Sequence, residues 1–312
     1  MSSMFLDLDG NRIPEDQVLG YGGSGLVIFH DGMAVKNPVR YSHSTDADVE
    51  TYIGTIQHEQ DVYRRLDRCD GVVPCIGFSK TATQLAFMKN GDLRTYLTRN
   101  QAPKALQLSW FREMAHALAR IHDRSVIVAD IASRNFLLDT DLSIKFCDFS
   151  ESSIMPLDSD MDTIDDKGYS VQTDIGELGA VFYEVVTGER CGFDLYENQQ
   201  GDLAVRWPRR ESLPRTQNVW LGPIIEQCWT KGAFRNAHHL AEALDSINLD
   251  NEEDELQSDS EPQTTRTNAS IQPVITLALI LGALTILTPW VLRWSLNSRL
   301  RLCLSALERR KG

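Results

Sequence analysis

Apolar and polar positions alternate on a short period in the first third of the chain. Residues 17–36, QVLGYGGSGLVIFHDGMAVK, hold two apolar runs that meet at Asp31-Gly32. An Asp-Gly pair between such runs predicts a β-hairpin. The period then lengthens, and a helix is predicted from about Asp48 to Leu66. Beyond Gly91 the spacing is mostly helical. In LSWFREMAHALARIHD the residues Trp110, Met114, Leu118 and Ile121 recur three or four apart and line one helical face. IIEQCW and HHLAEALDSI read the same way. Short strand-like runs return only at Phe136-Leu137-Leu138 and Ile144-Lys145-Phe146. The pattern predicts an α+β chain of two lobes, a small antiparallel sheet up to about residue 88 and a mostly helical lobe after it.

This texture ends near residue 247. The next stretch, 248–270, contains LDNEEDELQSDSEPQTTRTNAS, too poor in apolar side chains to repay ordering, and is predicted to be a disordered acidic linker. Residues 271–292, IQPVITLALILGALTILTPWVL, carry no charge. At about 1.5 Å per residue they reach about 33 Å, enough to cross a hydrocarbon core of about 30 Å. A buried core helix is the alternative, and the charged linker in front of the run argues against it. A basic tail, 293–312, follows with Arg293, Arg299, Arg301, Arg309, Arg310 and Lys311. The first residues, MSSMFLDLDGNRIPEDQ, lack the basic start and apolar run of a signal peptide. The expectation is a single-pass C-terminal anchor with the globular part in the cytosol. The basic tail resembles those of mitochondrial outer-membrane anchors, which puts that membrane ahead of the endoplasmic reticulum. A kink at Pro289 that returns the tail to the cytosol is the alternative topology.

Composition narrows the function classes. The 312 residues carry a formal net charge of −13, and 42 % are hydrophobic. That is ample material for a core, and the acidic balance argues against a nucleic-acid partner. The cysteines, Cys69, Cys75, Cys147, Cys191, Cys228 and Cys303, form no C-x-x-C pair, so neither a zinc knuckle nor a redox dithiol is suggested.

Three stretches carry candidate chemistry. Gly20-Tyr21-Gly22-Gly23-Ser24-Gly25-Leu26-Val27 is a G-x-G-x-x-G-x-V, whose missing side chains let backbone N–H groups approach phosphates. A Rossmann unit would lead from these glycines into a helix. Here VIFH and a hairpin follow, which favours a flap between antiparallel strands. The second hairpin strand ends at Ala34-Val35-Lys36, and the following helix carries Glu59 on the face of Val62, Tyr63 and Leu66. An ion pair between Lys36 and Glu59 would aim the ammonium at phosphates. Then Val128-Ala129-Asp130-Ile131-Ala132-Ser133-Arg134-Asn135 sets an acid and an amide five apart before an apolar strand, and Asp148 ends the next strand. A carboxylate can accept a hydroxyl proton, and amide or carboxylate oxygens suit Mg²⁺. Taken singly, each is also an ordinary turn residue.

In order, these pieces resemble the eukaryotic protein-kinase family over roughly residues 14–247. GYGGSGLV resembles the glycine-rich loop, MAVK the strand lysine, DIASRN the catalytic loop and Asp148-Phe149-Ser150 the metal motif. DIGELG from Asp174 is similar to the family's D-x-W-S-x-G helix start, with Gly176 where the family has tryptophan. Cys228-Trp229 and Arg235 resemble the end of its C-lobe. The resemblance implies a bilobal kinase-like domain over residues 1–247, with an N-lobe of about 14–88 and a C-lobe of 89–247. It implies ATP and Mg²⁺ as cofactors and a protein hydroxyl as acceptor. Gly20, Gly22 and Gly25 would cover the phosphates, and Val27 and Ala34 would contact the nucleotide. Backbone groups of Ala86 and Met88 would bond adenine behind Leu85. Lys36, held by Glu59, would contact the α- and β-phosphates. Asp130 would take the acceptor proton, and Asn135 and Asp148 would hold the metal.

Departures from the family pattern bear on activity and control. Val128-Ala129 replaces His-Arg, so the arginine that would pair with an activation-segment phosphate is missing. Ser150 replaces a glycine, which makes that backbone less free. No A-P-E is present between Asp148 and Asp174, which leaves Asp160, Asp162, Asp165 or Asp166 to pair with Arg235. The acidic segment ESSIMPLDSDMDTIDDKGYS is expected to be loosely ordered. Arg134, four after Asp130, is a feature of tyrosine-type loops. Three readings follow: a membrane-anchored ATP- and Mg-dependent protein kinase, a pseudokinase acting as a membrane-tethered interaction module, and a small-molecule kinase. DIGELG and the Cys228-to-Arg235 region argue against the third.

Overall fold

Asp31 and Gly32 take φ of 49° and 78°, and two successive left-handed residues form the tight turn that matches strand twist. They join β2 (Gly25–His30) to β3 (Met33–Pro38), as the Asp-Gly pair predicts. β1 (Val18–Tyr21), β4 (Cys75–Phe78) and β5 (Thr83–Ala86) complete a five-stranded antiparallel sheet of order β1-β2-β3-β5-β4. α1 (Asp46–Arg65) packs on β3. It starts two residues before the expected boundary because Thr45 caps it. The Thr45 hydroxyl accepts from Asp48 N–H at 3.2 Å, and the Asp48 carboxylate accepts from Thr45 N–H at 2.9 Å. Its buried face carries Val49, Ile56, Glu59, Val62 and Tyr63.

The computed structural model describes residues 4–23, 25–195 and 205–249. The uncharged run 271–292, expected from the sequence to cross a membrane, and the basic tail lie outside the described residues, as does the acidic linker beyond Leu249. Among the described residues no helix is long and apolar enough to cross a membrane.

After β5 the chain turns helical, with α2 (Leu93–Leu97), α3 (Lys104–His122), α4 (Val171–Thr187), α5 (Gly222–Trp229) and α6 (Ala237–Asp245). Trp110, Met114, Leu118 and Ile121, the stripe read from the sequence, are all essentially fully buried. Burying each such side chain is worth about 1.5–3 kcal/mol. α4 is buried on nearly every side, through residues such as Ile175, Leu178, Val181, Phe182 and Val185. It runs between Ser170, which caps its start, and Gly188, whose φ of 74° ends it. At Gly176 a Cβ would collide with the Phe193 ring, so that aromatic side chain fills the space beside this turn of α4.

Two small two-stranded sheets set up the site. β6 (Val126–Ile127) pairs with β9 (Ser153–Ile154), and β7 (Phe136–Leu138) pairs with β8 (Ile144–Phe146). The loop with Asp130 therefore enters β7 just where Asp148 leaves β8. Cys147 N–H donates to Asn135 O at 2.9 Å and ties the two ends together.

Candidate active site

Lys36 and Ala34 lie two apart on β3 and share a face. The Lys36 ammonium sits 2.8 Å from both carboxylate oxygens of Glu59 and 2.7 Å from Asp148 Oδ1. The sequence-predicted ion pair is present, and a second acid shares its cation. Burial works against the ammonium, but the two carboxylates outweigh it and hold the Lys36 pKa above the ordinary lysine value. Burial pushes Glu59 up, against the pull of Lys36 and of Phe149 N–H, which donates to Oε1 at 2.9 Å. Burial also opposes ionisation of Asp148, yet Lys36 and the Ser150 hydroxyl hold it at about 2. Asp148 is therefore an anion at neutral pH.

The backbone here is strained at one residue. Asp148 takes φ of 61°, outside the easy range for a non-glycine side chain, while Phe149 is fully buried and meets the Tyr63 ring edge-on at 5.3 Å. Ser150 is not among the positive-φ residues, so the missing glycine imposes no left-handed strain at that position. Its hydroxyl instead donates to Asp148 Oδ1 at 2.8 Å.

The loop bearing Asp130 hangs from α4. Asp174, completely buried, accepts from the N–H groups of Val128 and Ala129 at 2.8 and 2.9 Å. His122 Nε2 lies 2.9 Å from the same carboxylate, and Glu177 accepts from Ile131 N–H at 2.9 Å. These bonds hold Ala129 at φ of 62°, a left-handed alanine. The Asp130 carboxylate accepts from Arg134 Nη2 at 2.6 and 2.7 Å and from Asn135 Nδ2 at 3.0 Å. The sequence places DIGELG at a helix start and marks Ser150 as a departure, but the bonds from Asp174 to this loop, His122 beside Asp174 and the Ser150 hydroxyl on Asp148 appear only in the fold.

Asn135 spends its amide N–H groups on Asp130, whose backbone O also accepts from Nδ2 at 2.9 Å. That leaves Asn135 Oδ1 and Asp148 Oδ2 as oxygens that accept from no protein donor among the described residues. Two hard oxygen donors, one anionic, are the set that suits Mg²⁺. The glycines fit a nucleotide by the same kind of test. A Cβ on Gly20 or Gly22 would meet nothing within 4 Å, so the protein's own packing does not demand glycine there. At Gly25 a Cβ would come 2.8 Å from Lys36 Cε, so glycine lets the lysine stem pass. Val27 pairs with Lys36 across β2 and β3, and Ala34 pairs with Leu85 across β3 and β5. Ala86, at the end of β5, gives its N–H to Pro74 O at 2.9 Å. Met88 is buried, and its N–H donates to no protein acceptor among the described residues.

The segment after Asp148 corrects one expectation. Residues 151–170 were expected to be loosely ordered, yet they are tied down along their length. Ser152 donates to Val128 O at 3.0 Å, His58 Nε2 lies 2.7 Å from Ser152 O, and Arg65 donates to Met155 O at 3.1 Å. Among the four candidate acids, Asp162 takes Arg235, at 2.6 Å, and also accepts from Asn236. Ala129, Ile127 and Met155 form a buried cluster on which Met161, Ile164 and Tyr169 pack. Apolar contact thus docks the segment where the family pattern has an arginine awaiting phosphate. Any phosphotransferase rate of the purified chain is expected to stay within about twofold after exhaustive phosphatase treatment, because no buried cation at position 129 needs neutralising. A loss of about tenfold or more, some 1.4 kcal/mol of barrier, restored by rephosphorylating this segment, would show that another cation has taken that role.

The bilobal fold, the glycine-rich flap and the Lys36–Glu59–Asp148 cluster together define a kinase-like protein. The protein kinase domain family matches residues 15–231. The chain belongs to the protein kinase family. Relatives include the cytoplasmic tyrosine-protein kinase BMX of Homo sapiens, 27 % identical over 161 residues, 46 % of this chain and 24 % of that protein. The ovarian-specific serine/threonine-protein kinase Lok of Drosophila melanogaster is 25 % identical over 218 residues, 59 % of this chain and 46 % of its own. The serine/threonine-protein kinase STY17 of Arabidopsis thaliana is 24 % identical over 224 residues, 65 % of this chain and 39 % of its own. The chain thus spans less than half the length of each of these relatives.

Proposed function

We propose that this protein kinase is catalytically active and transfers the γ-phosphoryl group of ATP to a protein hydroxyl. The observation that supports this best is the Lys36 ammonium, shared between Glu59 and Asp148 at 2.7–2.8 Å. That arrangement leaves a fixed cation and a fixed anion beside the flap of Gly20, Gly22 and Gly25. Lys36 binds the α- and β-phosphates, and Ala86 O and Met88 N–H orient the adenine. Bound Mg²⁺, held by Asn135 Oδ1 and Asp148, would supply charge neutralisation at the phosphates. The Asp130 carboxylate orients the acceptor hydroxyl and takes its proton. The acceptor oxygen forms the new bond to γ-phosphorus as the bond to the ADP oxygen breaks. Arg134 holds Asp130 in place through both carboxylate oxygens. The relatives' names cover tyrosine and serine/threonine kinases alike, so the acceptor class rests on Arg134 alone.

The same reading includes a tether: the uncharged run 271–292 anchors the chain in a membrane, with the kinase domain in the cytosol and the mitochondrial outer membrane as the first choice. A second reading, an interaction module without turnover, draws on Asp130, whose carboxylate is already engaged by Arg134 and Asn135. Phosphorylation of a generic basic protein by the purified chain, with and without EDTA, separates the two. Metal-dependent incorporation supports the kinase, and none in either condition favours the module. Release of the full-length chain by alkaline carbonate would remove the membrane anchor from the proposal.

A further inference from the structure

Among the described residues the flap over the candidate nucleotide site is closed by Gly22 N–H donating to Gly25 O at 2.8 Å and by the pairing of Tyr21 with Leu26. Between β1 and β2 it is mostly glycine, and glycine-rich backbone loses much freedom when ordered. Its one large side chain, Tyr21, is 63 % exposed. Among the described residues the Tyr21 ring meets one other ring, that of Phe5, with centroids 4.9 Å apart. Phe5 is 5 % exposed and lies ahead of the residues that match the kinase family, which begin at 15.

The segment carrying Phe5 is built to stay in place. Asp7 accepts from Asn11 N–H at 2.8 Å and from Asn11 Nδ2 at 3.0 Å, and Gly10 turns with φ of 86°. Leu6 and Arg12 form an antiparallel bridge, and Ile13 N–H donates to Phe5 O at 3.1 Å, so residues 5–13 fold into a small hairpin. The hairpin docks where β3 leaves for α1. Phe5 bridges to Tyr41, their rings 5.4 Å apart, and Leu6 N–H donates to Arg40 O at 2.9 Å. Phe5 and Ile13 are buried with Leu26 and Val39, and Val18, Ile28, Tyr41 and Tyr52 pack on them. One ring therefore contacts the flap through Tyr21 and the β3–α1 connection through Tyr41. That connection joins the strand of Lys36 to the helix of Glu59.

We propose that Phe5 is a positioning residue for nucleotide binding: its ring braces Tyr21 and holds the glycine flap at the distance set by the β3–α1 connection. The inference rests on the reading of this site as a nucleotide site. Bracing the flap before nucleotide arrives lowers the ordering cost of binding, so its loss weakens affinity and leaves the chemical step alone.

The test uses the full-length chain in detergent and four variants: Phe5→Leu, Tyr21→Ala, their double mutant and Tyr21→Phe. Leucine keeps Phe5's apolar burial, and Tyr21 is exposed, so these changes spare the core. Losing an aromatic contact of this kind should raise Kd and KM for Mg-ATP roughly two- to thirteenfold in Phe5→Leu and in Tyr21→Ala. kcat stays within about twofold, the double mutant is no weaker than either single, and Tyr21→Phe binds like wild type. A merely structural role would lower melting temperature without this split. Hydrogen exchange without nucleotide gives an independent reading. Amides of Tyr21, Gly22 and Gly25 exchange faster in Phe5→Leu than in wild type, while those of β5 do not change. Equal flap exchange in the two proteins overturns the brace, whether or not nucleotide binds. Additive losses in the double mutant also overturn it. A wild type that shows no saturable Mg-ATP binding overturns the reading of the site instead.

Discussion

Replacing Asp130 with asparagine is expected to lower turnover by about 10²–10⁴-fold, the usual worth of a positioned general base. Affinity for Mg-ATP should stay within about twofold, because Asp130 acts on the acceptor hydroxyl and the nucleotide is held elsewhere. Asparagine keeps the shape of the side chain and can still accept one bond from Arg134, but it cannot take a proton. Stability provides an internal control. The Asp130 and Arg134 side chains are 31 % and 28 % exposed, and pairs open to solvent contribute only about 0–1 kcal/mol. The melting temperature should therefore hardly move while turnover collapses. Initial rates and calorimetric nucleotide titration on the same preparations decide the matter. Turnover like that of wild type in Asp130→Asn would remove this residue from the mechanism and with it the order of roles proposed here.

The Lys36→Met variant should lose stability and nucleotide response together. The Lys36 ammonium lies against two carboxylates, Glu59 and Asp148. Removing one member of a buried ion pair leaves an uncompensated charge and costs about 3 kcal/mol or more. For a domain of this size that corresponds to a fall of about 6–12 °C in melting temperature. Adding Glu59→Gln should recover part of the loss, since it removes the stranded buried charge. In wild type, Mg-ATP at about a hundred times its Kd should add about 2.7 kcal/mol of stability. Lys36→Met should show little of that increment, because the phosphates have lost their fixed cation. An equal Mg-ATP shift in wild type and Lys36→Met, measured by thermal denaturation, would count against the whole assignment of the site.

Several parts of this structure were legible along the chain because they depend on neighbours in sequence. Asp31-Gly32 forms its hairpin because two left-handed residues suffice for the turn. Trp110, Met114, Leu118 and Ile121 form a buried stripe because a helix brings residues three and four apart onto one side. Asp130 and Asn135 come together because only five positions separate them, and their bond at 3.0 Å is a local one. The order of these motifs was enough to identify the family resemblance.

Other features required distant parts of the chain to meet, and spacing carries no information about which do. Four acids were candidates for Arg235, and the path of the segment after β9 brings Asp162 within 2.6 Å. Ala129 read as a missing cation; its cluster with Met155, Met161, Ile164 and Tyr169 depends on how that segment folds back over β6. The segment's acids suggested looseness because charge is visible in sequence, whereas the packing of Met155, Met161, Ile164 and Tyr169 is not. His122 became a partner of Asp174 across 52 positions, and Ser150 acquired a role only once the Asp148 carboxylate turned toward it. No local pattern singles out Phe5; the hairpin at 5–13 brings its ring onto Tyr21. Local sequence determined the turns, faces and short loops, where a few dihedral angles settle the outcome. Tertiary structure alone decided the long-range partners, because burial and contact depend on the whole packed chain.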